Sequence, residues 1–416
     1  MSEKADSELV RRQNRRIVLE ALRHDGPLAR IDLGRRTGLS LASISSISAQ
    51  LIEERLIHAL DEPLEAKQKR GRPLTRLGLN PAAAQVVAVK ISIDGVELVL
   101  ADFRGETLHR AKLPIATYEA EPAHFGGSVA REIQAFLLRS KVKRESVARI
   151  GVAVQGLADT QSGTIVWSPA FRARNIRVGS VIERELGVPC SVANDANMLA
   201  EGLIGIDRQR YGGTTAVIFM GYGVGMGLIV DGVVYHGSTG GAAEFGHMNH
   251  IPHGPLCRCG RRGCIEAYAA DYGIWRAASN LPETSSPPVS GVPKDAMLAL
   301  EAAANAGDAS ARQAFAKAGE ALGFGIARLI AILSPNRIVL AGPGTRAIVL
   351  IEPALRQAIA DGVVDELRRN VEFEVVPIAT DMIVKGTIDG ALRHLDRDVF
   401  AHGHVGRHHV ALEKSA

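Results

Sequence analysis

The sequence predicts a mixed α/β chain in three parts. These are an N-terminal winged helix-turn-helix, a duplicated body of two similar lobes, and a metal knuckle set into the second lobe. Three observations carry that expectation. The surplus of positive charge is confined to the first fifth of the chain. Two stretches repeat one pattern of strands and tight turns. Three of the four cysteines fall within eight residues, Cys257–Cys264.

The bulk composition fits a large globular chain. Its 416 residues are 46% hydrophobic and 23% charged, enough for two to four domains with ample cores. No apolar run approaches the roughly 18 residues a membrane span requires, and the polar N-terminus has no apolar signal core. A cytoplasmic protein with no membrane insertion is therefore expected. Four cysteines make no disulfide framework at this length, and a reducing compartment suits thiolates held on a metal. Cys190, between Pro189 and Ser191 in an apolar run, reads as a core residue.

The head, residues 1–80, holds 15 Lys and Arg against 11 Asp and Glu, while the remainder of the chain is balanced at 34 against 34. Such asymmetry points to a nucleic-acid-binding head on a neutral body. From Ser7 to Arg23 the apolar positions Leu9, Ile17, Val18, Ala21 and Leu22 recur at helical spacing. Gly26-Pro27 ends that helix, 30–37 reads as a second short one, and Gly38-Leu39 turns the chain. Ser40 then stands as N-cap of a third helix that turns Ile44, Ile47, Leu51 and Ile52 inward. Helix, Gly-containing turn, helix is the helix-turn-helix pattern.

The outward face of the third helix carries Ala42, Ser45, Ser46 and Ala49, small enough to lie close in a major groove. It has no Arg or Asn for bidentate base readout, so its specificity alone is expected to be weak. Residues 57–79 read as a two-stranded wing tipped by Lys69-Arg70-Gly71-Arg72-Pro73, a slim cationic hairpin suited to a narrow minor groove. A basic run by itself is as well read as a solvated loop; the helix-turn-helix before it favours DNA. Arg35, Arg36, Ser40, Ala42, Ser45, Ser46, Arg70 and Arg72 are the candidate DNA contacts.

In the body, Val86–His109 and Thr214–His236 each read as strand, tight turn, strand, tight turn, strand. Each opens a region that then alternates strands and helices: 148–154, 189–193 and 195–205 in one, 337–341, 348–360 and 371–377 in the other. Two such copies suggest two lobes facing across a cleft, residues 81–206 and 207–395. Segment 281–295, with Pro282, Pro287, Pro288 and Pro293, reads as a flexible surface connection. The tail 396–416, carrying His402, His404, His408 and His409, reads as polar and solvated.

His247, Cys257, Cys259 and Cys264 make a four-ligand set suited to tetrahedral zinc, and Gly246, Gly254, Gly260 and Gly263 allow the backbone to gather them. The alternative is that the cysteines are small core residues. Arg258, Arg261 and Arg262 among them make a poor core segment.

With these motifs in hand, residues 1–395 resemble the ROK family, which groups bacterial repressors and sugar kinases. The resemblance rests on Asn14 and the helix-turn-helix, Gly71-Arg72-Pro73, Val192–Asn197, Glu244-Phe245-Gly246-His247, and Cys-x-Cys-Gly-x-x-Gly-Cys-x-Glu at 257–266. It implies an actin-like, sugar-kinase (RNase H-like) body and a structural zinc on His247, Cys257, Cys259 and Cys264. It implies a sugar site of Asn194, Asp195, Glu244, His247 and Glu266, whose carboxylates and amide suit vicinal hydroxyls. Taken alone, Asn194-Asp195 reads equally well as a helix N-cap after a strand.

Asp195 matches the family kinases' general base, yet the phosphate-binding turns depart from the pattern. Where the kinases carry Asp-x-Gly-Gly-Thr, this chain has Lys90-Ile91-Ser92-Ile93-Asp94. Gly221-Tyr222-Gly223-Val224-Gly225 keeps its glycines but places Tyr222 at a small hydroxyl position, and Ala341-Gly342-Pro343-Gly344, which resembles the family's adenosine-side turn, adds Pro343. Loss of nucleotide binding is expected, leaving Asp195 vestigial. The reading is a non-enzymatic, sugar-responsive transcriptional repressor, a dimer or tetramer on operator DNA, released by a sugar or sugar phosphate. A sugar kinase and a repressor governed by a transporter protein are the alternatives. In Ser168-Pro169-Ala170-Phe171-Arg172, Phe171 could narrow the pocket and Arg172 could meet an anionic group on the sugar.

Overall fold

Three helices of the head bring their apolar stripes together over a small sheet. The computed structural model describes residues 2–60, 75–377 and 381–400. In chain order the head comprises α1 (Ser2–Asp25), β1 (Leu28–Ala29), α2 (Arg30–Thr37), α3 (Leu41–Glu53), β2 (Ile57–Leu60) and β3 (Arg76–Leu79). Leu19, Leu33, Ile44, Leu51 and Leu77 are fully buried in one cluster, each contributing about 1.5–3 kcal/mol by leaving water. The wing is three-stranded, in the order β1-β3-β2, because Leu28-Ala29 pairs with Arg76-Leu77, which the sequence reading had not included. The wing tip with Arg70 and Arg72, and the tail's four histidines, lie outside the described residues, whereas the start of the expected solvated tail is packed: Asp396 and Phe400 are buried.

The body is built from two sheets of one topology. In the first, β4 (Gln85–Ser92), β5 (Gly95–Asp102) and β6 (Thr107–Leu113) form an antiparallel meander. Then β7 (Val147–Val154) lies parallel to β4, and β11 (Cys190–Asn194) lies parallel to β7. In the second, β12 (Thr215–Met220), β13 (Val224–Val230) and β14 (Val233–Val234) make the meander. Strands β15 (Arg337–Ala341) and β16 (Glu372–Val376) follow in parallel. The orders β11-β7-β4-β5-β6 and β14-β13-β12-β15-β16 are mirror statements of the same arrangement, so the duplication read from the sequence is real.

One face of the first sheet is covered by α4 (Pro122–Arg139) and α5 (Gly179–Leu186), and a small sheet of β8 (Leu157–Asp159), β9 (Thr164–Trp167) and β10 (Ile176–Arg177) borders the cleft. The helices of the second half are α7 (Arg208–Tyr211), α8 (Glu266–Ala269), α9 (Asp271–Ala278), α10 (Lys294–Ala306), α11 (Ala309–Leu333), α12 (Ile348–Gly362) and α13 (Asp365–Arg368). Residues of α9, α11 and α12 share one core with an apolar face of the second sheet.

Two helices cross between the lobes. Helix α6 (Asp195–Ile206) follows β11 of the first lobe, yet its Met198, Leu199 and Leu203 share a core with Val217, Ile229 and Val339 of the second sheet. Helix α14 (Asp381–Asp398) ends the second lobe, yet its Val384, Ile388, Ala391 and Leu392 pack with Val86, Ala88, Val99 and Ala101 of the first sheet. This corrects the division at 206/207: residues 195–206 and 381–395 each cover the other lobe's sheet. The two helices cross at close quarters, since a Cβ on Gly386 would lie 1.7 Å from the Met198 carbonyl oxygen.

The core around α14 also contains the head's Val18, Leu19 and Leu22, so head and first lobe are one packed unit. Two arginines of α1, Arg15 buried and Arg23 half-buried, fix the joint. Arg23 forks onto Asp396 at 2.8–3.1 Å and lies over the Phe103 ring, and Arg15 donates to the Phe400 carbonyl at 2.9 Å and pairs with Glu54.

Candidate functional site

The strand-to-helix corner at β11–α6 places two polar side chains at the floor of the cleft. Asn194 is the N-cap of α6: its Oδ1 accepts from the amides of Ala196 (2.7 Å) and Asn197 (3.3 Å), and its Nδ2 donates to Gly156 O (2.6 Å). The capping reading of this pair is therefore the geometry observed. Asp195 opens the helix, and burial pushes its carboxyl up to about 7, with Lys90 opposing the shift and Glu244 reinforcing it.

Across the cleft, Glu244 precedes a single tight turn, Phe245–His247. Gly246 is required there, because a Cβ would stand 1.9 Å from the Val224 carbonyl oxygen. Glu244 Oε2 lies 3.9 Å from His247 Nε2, and burial raises the Glu244 carboxyl above its usual range. Glu266, at the start of α8, is buried and held at both oxygens: Oε2 accepts from the Val224 amide (3.1 Å) and Oε1 from the Tyr272 hydroxyl (3.2 Å).

Asn194, Asp195, Glu244, His247 and Glu266 all line one cavity of about 60 Å³ between the lobes, together with Gln155, Trp167, Pro169, Tyr222 and Arg258. Trp167 stands edge-on to the His247 ring at 5.4 Å. It ends β9, and no motif in the sequence marked it. Phe171 is instead in the first lobe's core, edge-to-face with Phe125 at 4.8 Å, and Arg172 is exposed and away from the cavity. The positive charge on the cavity wall is Arg258, whose Nη1 has no hydrogen-bond partner among the described residues.

Behind His247, the knuckle brings four ligand atoms to within 4.8 Å of one another. Cys257 Sγ is 3.7 Å from His247 Nδ1, and Cys259 Sγ is 3.8 Å from Cys264 Sγ. Metal–sulfur bonds of ~2.3 Å at tetrahedral angles put ligand atoms about 3.8 Å apart, so the set fits a small tetrahedral cation. Its acidities tell the same story. Hydrogen bonding to Cys257 and Cys264 holds the Cys259 thiol far below its usual range, while hydrogen bonding to Cys259 drives Cys257 far above. Burial would lower the His247 imidazole, yet its bonds to Cys259 and Cys264 raise it to about 11. Three crowded sulfurs and an imidazole form a donor set that could hold a metal ion. Cys190 packs, half-buried, against the edge of the first lobe's core and also lines a different cavity.

In both turns at the expected phosphate positions some of the amides are engaged within the protein. The β4–β5 turn is only Ile93-Asp94, and the Ile93 amide donates to Gln155 Oε1 at 3.3 Å. In the β12–β13 turn, Gly221 N donates to Gly223 O (3.1 Å) and the Val224 amide to Glu266. Tyr222 is stacked beneath Arg258 at 3.7 Å, and its hydroxyl donates to Val289 O at 2.8 Å. Pro343 is pressed so close to Gly221 that a Cβ there would meet its ring at 2.7 Å.

Segment 281–295 is accordingly no loose connection. It is strapped over the knuckle by Tyr222, by Arg258 Nη2 to Pro288 O (3.1 Å), by Arg276 Nη1 to Ser285 O (3.2 Å) and by the Leu256 amide to Glu283 O (2.8 Å).

In the head, Ser40 accepts from the Ser43 amide at 3.2 Å as cap of α3, and Ala42, Ser45 and Ser46 are exposed together on its outer face. Arg36 is forked onto Asp25 at 2.6 and 3.2 Å, whereas Arg35 is largely free, 3.6 Å from Asp32.

A two-lobed body of the sugar-kinase type, a Cys₃His centre behind its cleft, and an N-terminal helix-turn-helix define the class. The chain belongs to the ROK family, whose model matches residues 86–389. It is 26% identical to the DNA-binding transcriptional repressor Mlc of Escherichia coli K12 over 386 residues, 92% of each chain. Its fold is that of a solved ROK family transcriptional regulator described as a homolog of that protein, with a TM-score of 0.77, 24% identity, and coverage of 95% of this chain and 99% of the other. A ROK family glucokinase from Streptomyces griseus, solved with glucose and AMPPNP, shares the fold at TM-score 0.58 and 23% identity. That match covers 99% of the kinase but 74% of this chain, close to the share of the two-lobed body alone. No helix among the described residues is long and apolar enough to cross a membrane.

Proposed function

We propose that the chain is a sugar-responsive DNA-binding transcriptional regulator, a repressor of carbohydrate genes whose grip on its operator is released by a sugar or sugar phosphate. One observation carries the reading. The cleft floor and the DNA-binding head are joined by continuous packing through the crossed helices: α6 begins at Asn194-Asp195, rests on α14, and α14 ends at Asp396, which holds Arg23 of α1. The name of its relative, a DNA-binding transcriptional repressor, supports the same conclusion.

In this reading Asp195, Glu244 and His247 take the sugar hydroxyls, Asn194 contributes its remaining N–H, and Glu266 positions the Val224 turn. Arg258 meets any phosphate on the sugar. A cavity of about 60 Å³ is far below the ~300–1,000 Å³ of typical ligand sites, so the lobes must part to admit a sugar. Closing on the sugar at a new angle rotates α14 against α6 and carries the head with it. The DNA face is Ala42, Ser45 and Ser46 with Arg35, supported by Arg36, Ser40 and the wing residues Arg70 and Arg72. Weak readout by one such face favours a homodimer on a palindromic site.

The metal is zinc, in a structural role: three thiolates and one imidazole fill a tetrahedron and leave no position for a reacting water. A cytoplasmic setting keeps those thiols reduced. The centre orients His247 toward the cleft and supports the strap. Metal content per chain should be about one zinc; Cys257→Ala should lose the metal and the sugar response together, read by metal analysis and operator binding. A folded, metal-free, fully inducible variant would refute this role.

The direct test selects operator sites from random DNA with the full chain, then titrates sugars and sugar phosphates against binding and melting temperature. If no sugar changes either, the sensing model fails. A second reading, residual sugar kinase activity, is favoured by the poised Asp195 alone. The partly engaged phosphate turns oppose it. Sugar-dependent ATP consumption abolished by Asp195→Asn would establish it.

A further inference from the structure

A second cavity, of about 570 Å³, opens where the head, both lobes and the crossed helices meet, and it shares no lining residue with the cleft. Its walls carry five arginines, Arg16, Arg149, Arg208, Arg393 and Arg397, against the carboxylates of Glu20 and Glu201. Four of the five are partnered. Glu20 is shared by Arg16 at 3.4 Å and Arg208 at 3.2 Å, Glu201 holds Arg393 at 2.5 Å, and Arg397 turns to Asp398 at 2.7 Å.

Arg149 is the exception. It lies on β7, on the face turned toward α14, and among the described residues it has no ion pair or hydrogen bond; its Nε is buried without a partner. His236 also lines the cavity, and its Nδ1 is likewise buried with no hydrogen-bond partner among the described residues. Asp398 and Glu183 act on Arg149 only at a distance. A partly desolvated guanidinium with no direct partner is costly, and the fork of donors it presents matches carboxylate or phosphate oxygens. The cavity is of ordinary ligand size.

We propose that this junction is a binding site for a small polyanion, a phosphate ester or a di- or tricarboxylate, anchored by Arg149 and flanked by Arg16 and Arg393. Its position gives it a role the cleft does not have. An occupant would touch α1, β7 and α14 at once and so lock the head to the body, making operator binding responsive to a second metabolite. The site does not depend on the sugar reading.

The test is calorimetry and thermal melting of the full chain, without sugar or DNA, titrated with inorganic phosphate and with citrate at constant ionic strength against a chloride reference. A saturable heat and a raised melting temperature are expected from at least one probe. Response to phosphate alone assigns the phosphate-ester class, and response to citrate alone the carboxylate class. The effect should vanish in Arg149→Ala and persist in the cleft variant Glu244→Gln. Arg149→Lys, which keeps the charge but not the fork, guards against misfolding of the alanine variant and should bind about tenfold more weakly. No response beyond chloride, a response retained in Arg149→Ala, or an unchanged affinity in folded Arg149→Lys would overturn the site.

Discussion

Asn194 shows how one amide can serve fold and site together. Its oxygen is committed to the first turn of α6, so the part of its side chain left for a ligand is a single N–H. Its neighbour Asp195 carries a testable electrostatic cost. The carboxyl has a folded pKa of about 7 against an ordinary 3.8. Between those values the unfolded chain ionises while the folded chain keeps its proton, so stability falls as pH rises through that window and the penalty is complete above it. Asp195→Asn should therefore stabilise the protein at pH 8, by at most about 4 kcal/mol, with the gain fading toward pH 4. Denaturant midpoints at the two pH values decide it; equal gains at both would contradict burial as the cause. Arg258→Ala should free the strap, seen as faster hydrogen exchange at 281–291, and cost about 1–3 kcal/mol through the lost ring stack and carbonyl bond. At this scale the sequence was informative where a residue type has few uses. The Cys₃His set and the paired acids could be read directly. Trp167 and Arg258 could not, because an aromatic or basic side chain acquires a role only from what the fold places beside it.

Elements divide in the same way. The helices of the head were legible because each has an apolar stripe and a boundary signal, and Ser40 does cap α3. Ser40→Ala should lower stability by about 1 kcal/mol, measured by thermal melting, beyond any effect on DNA affinity. The two-residue strand β1 carries too little pattern to be seen in sequence. Segment 281–295 was misread for a related reason: its prolines signal a turn-rich path but say nothing of the carbonyls that Tyr222, Arg258 and Arg276 hold. The crossing of α6 over α14 depends on glycine at the contact. Gly386→Ala drives a methyl into the Met198 carbonyl, so a loss of about 1–3 kcal/mol or more is expected on denaturation. A folded Gly386→Ala protein with wild-type stability would show that the helices can separate without cost.

For the whole molecule, the important boundary is not the one between head and body. The head shares its core with α14 and the first sheet, and Asp396 is fully buried against Arg23. Asp396→Asn should cost about 3–5 kcal/mol by stranding the guanidinium. It should also blunt sugar control of DNA binding while leaving sugar affinity intact, read by calorimetry beside operator titration. Sequence order could not have revealed this joint. Strand alternation marked both lobes, but which sheet a helix covers is decided by where the chain returns in space, over separations of some hundreds of residues. The duplication was visible as a repeated pattern, whereas the exchange of terminal helices left no local mark.

That exchange has a practical corollary. A single nick at the surface turn Gly212-Gly213 would divide the chain into a piece lacking α14 and a piece lacking α6, each with one sheet face bare. Neither half can complete its own interior, and each holds the helix the other requires. The two halves, made separately, should recognise one another as tightly as subunits of an obligate heterodimer. The protein is thus a natural candidate for a split sensor whose reassembly is read out on DNA.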